Sequence, residues 1–119
     1  MSFSTSSPVS MSLDRQGSSA AVLVRADVWL PAGLNWQRAG SLLFQSIKDD
    51  REAQTLTLAT GDYQVKVTIS VGEDKTSGPY LYAFSVGDQQ AVVDSGTIDP
   101  ASAPDDGEVF SAEFSLTVA

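Results

Sequence analysis

The sequence predicts an all-β domain in which two antiparallel sheets pack face to face, built from seven to eight strands. Three observations carry that expectation. Several runs alternate apolar and polar residues with period two, the mark of a strand with one buried face. Turn-forming Gly, Pro and Asp segments separate those runs at the spacing of an all-β chain. No run of helical periodicity is long enough to supply the crossovers that a parallel sheet requires.

The clearest run places Tyr63, Val65, Val67, Ile69 and Val71 on one face and Gln64, Lys66, Thr68 and Ser70 on the other. "EVFSAEFSLTV" does the same with Phe110, Ala112, Phe114, Leu116 and Val118, and "PYLYAFSV" with Tyr80, Tyr82, Phe84 and Val86. "AAVLVRADVWL" sets Val22, Val24, Ala26, Val28 and Leu30 against Leu23, Arg25, Asp27 and Trp29. "QTLTLA" and "QAVVDSGTI" are shorter, rich in Thr, Val or Ile, and also read as strands. The turns fall between them, at "PAG", "TGD", "GEDKTSGP", "GDQ" and "DPASAPDDG".

Two segments are ambiguous by pattern. "NWQRAGSLLFQSIKDD" fits a helix through Trp36, Ala39, Leu43 and Ile47, yet Gly40 weakens a helix and the surrounding pattern favours a strand from about Leu42 to Ile47. At the front, "PVSMSL" alternates Val9, Met11 and Leu13 with Ser10 and Ser12 behind a serine-rich leader. Residues 1–13 therefore read as a loose arm or an edge strand, and residues 14–119 as a single sandwich domain.

Within that architecture "LATGDYQVKV" resembles the tyrosine corner of immunoglobulin-like sandwiches, in which a Tyr near the start of a strand sends its hydroxyl back to a backbone group a few residues upstream. The resemblance implies a structural role for Tyr63, in phase with Val65 and Val67. The paired Cys and Trp of immunoglobulin domains are missing, so the sandwich is read as immunoglobulin-like or jelly-roll without assignment to a family.

Composition narrows the function. With 7 Lys and Arg against 15 Asp and Glu in 119 residues, the net charge of −8 repels polyanions, so nucleic acid and anionic membrane are poor partners, and no membrane partner is expected from the sequence. The absence of Cys removes disulfides, thiolate nucleophiles and Cys-ligated zinc, and the absence of His removes the usual general base. A Ser-His-Asp arrangement is impossible, and the expectation is a protein without enzymatic activity. The chain as written shows neither a signal-peptide pattern nor a run approaching a spanning helix, and its compartment is unknown.

Two sets of side chains are candidates for ligand work. Asp99, Asp105, Asp106 and Glu108 form an acidic loop, as do Asp49, Asp50 and Glu52, and either supplies part of the oxygen shell that calcium wants. Calcium is thus the one candidate cofactor; the spacing matches no EF-hand loop, and a hydrated acidic surface explains the same residues. Trp29 shares its strand face with Arg25 and Asp27, and Trp36 follows a short turn nearby. An indole stacked on a sugar face, with charged hydrogen-bonding groups at its rim, suits glycan recognition. Leu23 on the same face instead suggests a strand covered on both sides, with Trp29 as packing.

Three classes of function follow. The first is a non-enzymatic interaction or assembly module that meets a protein partner or another copy through strand edges, "PVSMSL" above all. A carbohydrate-binding module using Trp29 or Trp36 with Asp27 and Arg25 is the alternative, and a carboxylate-based enzyme the third.

Overall fold

The structure is a computed structural model that describes residues 2–15, 22–45, 51–71, 78–98 and 108–119. The described residues form nine strands in chain order: β1 (Ser2–Thr5), β2 (Val9–Asp14), β3 (Val22–Ala32), β4 (Asn35–Phe44), β5 (Arg51–Leu56), β6 (Gly61–Val71), β7 (Gly78–Val86), β8 (Gln89–Ile98) and β9 (Glu108–Val118). They build a five-stranded sheet ordered β1-β9-β6-β3-β4 and a four-stranded sheet ordered β5-β2-β7-β8. The expected sandwich is present, with nine strands where seven to eight were expected. Every pairing is antiparallel except β1 with β9, which is parallel.

Alternation places the core. Val65, Val67 and Ile69 of β6, Val22, Val24 and Val28 of β3, and Val9, Met11 and Leu13 of β2 are almost wholly removed from water. Phe44 of the first sheet meets Phe84 of the second edge-on, with ring centroids 5.6 Å apart, and Phe3 meets Phe114 in the same manner at 5.1 Å. Gln54 of β5 donates to the Leu43 carbonyl of β4 at 2.6 Å, joining the two sheets along one side.

Three expectations about segments need correction. The strand expected from Leu42 to Ile47 runs from Asn35 to Phe44, and residues 46–50 lie outside the described set. The cause is a bulge: Val28 pairs with Gly40 and the next residue, Trp29, with Arg38, so Ala39 is extra and the inside-outside phase of β4 shifts there. A helix-like spacing of Trp36, Ala39 and Leu43 results. Residues 9–13, expected as a loose arm or an edge, form an interior strand flanked by β5 and β7. Ser10 is half-buried and Ser12 buried on the opposite face, while Val9, Met11 and Leu13 fill the core. Of the first two strands it is β1 that lies at a sheet edge, anchored by the buried Phe3. Finally, the turn expected at residues 31–33 lies at Gly33 and Leu34, because Pro31 and Ala32 still pair with Trp36 and Asn35.

The β3–β4 hairpin positions the site described next. Gly33 has φ of +66°, the first position of a two-residue hairpin turn, where a positive φ matches strand twist. Pairing of β3 with β6 stops at Trp29 and Gln64, two residues before Pro31, which has no N–H to offer a ladder. Beyond that point the hairpin's strand pairing, among the described strands, is with itself alone, and a depression opens between it and the start of β6.

Candidate functional site on the outer face of the five-stranded sheet

Side chains that point away from the core on four neighbouring strands come into register on one surface. One row across the sheet runs Arg38, Trp29, Gln64 and Ser115; the adjacent row runs Ser41, Asp27, Lys66 and Glu113. Strands lie about 4.8 Å apart, so adjacent side chains of a row are close enough to meet one ligand.

A groove of about 440 Å³ is lined by Trp29, Trp36, Gln64, Lys66 and Glu113. That volume falls within the roughly 300–1,000 Å³ of small-molecule sites. A second depression of about 280 Å³ shares Trp36 and Gln64 with it and continues past Pro31 to Asp62, Ser115 and Thr117. Trp36 and Gln64 thus stand where the two depressions adjoin.

Charges hold the aromatic floor in place. Arg25 Nε donates to Asp27 Oδ1 at 3.1 Å, and Arg38 Nε lies 3.7 Å from the same oxygen. Asp27 is only 8 % exposed, so its two guanidinium neighbours offset the cost of removing the carboxylate from water. The Arg38 guanidinium also lies over the Trp29 ring, 5.0 Å from its centroid. Gln64 Oε1 accepts from Ser115 Oγ at 3.1 Å and Asp62 Oδ1 from Thr117 Oγ1 at 2.9 Å, which orients the amide and the carboxylate beside the groove.

Comparison with protein-family models, curated proteins and solved structures returned no match. The chemistry of this surface therefore has to be read from its residues.

Trp29, Trp36, Asp27 and Arg25, the residues singled out for glycan contact, lie on the same side of the sheet, and the two tryptophans line one groove. Trp29 is half-buried against Arg38 on the outer face, so the reading of it as core packing is corrected; Leu23 shares the outward phase and is itself only half-buried. Trp36 is 58 % exposed. Sequence reasoning missed Arg38, Gln64, Lys66 and Glu113. The outward phase of Lys66 and Glu113 was legible, but the strand order that places them beside Trp29 was not.

Most of the acidic candidates fall outside the described residues. Asp99, Asp105, Asp106, Asp49 and Asp50 lie outside the described residues, and the side chain of Glu108, at the start of β9, is outside them too. Glu52 sits on β5, where Oε2 accepts from Gln54 at 2.8 Å and Oε1 lies 3.6 Å from Arg15 Nη2. Among the described residues no three potential metal ligands gather. Tyr63 does what the corner resemblance implies: its hydroxyl donates to the Ala59 carbonyl at 2.7 Å, and the ring is buried.

Proposed function

We propose that the protein is a non-enzymatic binding module whose groove takes a saccharide. The observation that carries this reading is that Trp29 and Trp36, one half-buried and one exposed, line a single groove with Gln64, Lys66 and Glu113. A pyranose has an apolar C–H face and a rim of hydroxyls. Indole rings suit the first, while an amide, an ammonium and a carboxylate suit the second. The continuation past Trp36 toward Asp62 and Thr117 favours an oligosaccharide over a single sugar. Carboxylate, ammonium and guanidinium alternate along the surface, so the groove itself has no single dominant charge and matches a neutral glycan.

A panel of neutral oligosaccharides titrated against the protein tests the reading. Trp36→Ala is expected to lower affinity at least tenfold for the best glycan, with no change in the urea midpoint, because the ring is mostly exposed. Trp29→Ala should lower it further. Equal affinity of wild type and both variants for every glycan bound, or no binding at all, refutes it.

One observation favours self-association as a second reading. β8 closes the four-stranded sheet, has Asp94 as its single charged residue over ten positions, and exposes Val93. A long edge with so little charge is open to antiparallel pairing with another copy. Val93→Lys should convert a dimer to a monomer in light scattering; a wild type that is monomeric at millimolar concentration removes this reading.

A further inference from the structure

Leu34 is fully exposed, at the tip of the β3–β4 hairpin. The turn does not ask for it. Gly33 supplies the positive φ, and the second turn position accepts small polar residues readily. Residues 28–37 carry no charge, and charged side chains begin only at Arg38 and Asp27, away from the tip. Leu34 comes first, followed by the uncharged cross-strand pairs of Ala32 with Asn35, Pro31 with Trp36 and Leu30 with Gln37, then Arg38 opposite Trp29, then the mixed row of Asp27, Lys66 and Glu113. An apolar tip, an indole behind it and a guanidinium behind that reproduce the order of a lipid-water boundary.

The rest of that end of the molecule agrees. β1, β3, β5, β7 and β9 all finish there, as their pairings with β2, β4, β6 and β8 require. The connections at this end are residues 6–8, 33–34, 57–60 and 87–88, and they contain one charged side chain, Asp88; Asp62, at the start of β6, is the exposed carboxylate beside them. In a chain with 22 charged residues, so neutral an end is a distinct surface.

We propose that this end docks on a zwitterionic lipid surface, with Leu34 entering the acyl boundary and Trp36 lying at headgroup level. The net charge of −8 argues against anionic lipid and leaves a zwitterionic layer open. Docked this way, the tryptophan groove faces along the headgroup layer, one step behind the tip. The inference stands on the hairpin and the neutral end, and does not require the saccharide reading.

Flotation with phosphatidylcholine vesicles tests it, with phosphatidylglycerol-rich vesicles as the charged arm. Wild type is expected to float with the first and far less with the second. Leu34→Ser should cut the floated fraction at least fivefold, whereas Val109→Ser, an exposed valine near the opposite end, should leave it unchanged. In a Trp29→Phe background, emission from Trp36 should shift to the blue on adding phosphatidylcholine vesicles. Wild type left unfloated, or Leu34→Ser floating as well as wild type, overturns the proposal. Oligosaccharide titrations of the same variants report separately on the groove: Leu34→Ser should bind free glycan as wild type does.

Discussion

Tyr63 and Tyr82 do different work with the same hydroxyl. Tyr63 ties the start of β6 to the Ala59 carbonyl, so Tyr63→Phe should lower stability by about 1 kcal/mol, the net worth of one hydrogen bond, in urea melts. Tyr82 is buried in the core, and burial pushes its pKa from 10.0 up to about 12, with the Asp94 carboxylate opposite it on β8 and Tyr80 adding to the rise. The unfolded chain releases this proton first. The contribution is therefore full below pH 10 and is lost as pH climbs from 10 toward 12. Urea midpoints followed over that interval should fall for wild type and fall less for Tyr82→Phe.

Two strand glycines set how closely elements approach. A Cβ on Gly40 would stand 2.8 Å from Leu56 Cδ2, where β4 of one sheet meets β5 of the other. A Cβ on Gly96 would stand 2.7 Å from the Tyr80 hydroxyl, its cross-strand neighbour. Gly40→Ala should cost about 1–3 kcal/mol by overpacking that seam, softened to the extent that Leu56 rotates away. Gly96→Ala should cost a similar amount, and guanidinium melts of both variants check it.

The same elements show how far a sequence can be read. β6 and β9 are plain because their paired faces differ sharply in polarity over eleven residues each. β4 was misplaced because the bulge at Ala39 breaks the period on which the reading depends. The interior position of β2 was hidden because period two reports one buried face and says nothing of how many neighbours a strand has. The site was half legible for the same reason. Phase put Trp29, Asp27 and Arg25 together on one strand, while Gln64, Lys66 and Glu113 arrive through pairings between residues far apart in the chain.

At the scale of the molecule, charge and shape are both uneven. The radius of gyration of 15.0 Å exceeds the roughly 13.5 Å expected for a compact domain of this length, and the extents of 47 × 29 × 21 Å show elongation. The net charge of −8 repels itself across a small body, so raising salt to about 0.5 M should raise the urea midpoint modestly at neutral pH. A midpoint independent of salt would show that the charges are already locally balanced. The core lies between the sheets, the aromatic groove on the outer face of the five-stranded sheet, and Leu34 at the tip of the neutral end.

The claim on which the functional account rests is that Trp29 and Trp36 serve one ligand. The chain has two tryptophans, so its amide-correlation NMR spectrum contains two indole N–H signals. Titration with the best-bound neutral oligosaccharide should move both along one binding curve, together with the side-chain amide of Gln64. Saturating glycan that leaves both indole signals in place, or moves Trp36 alone, contradicts it.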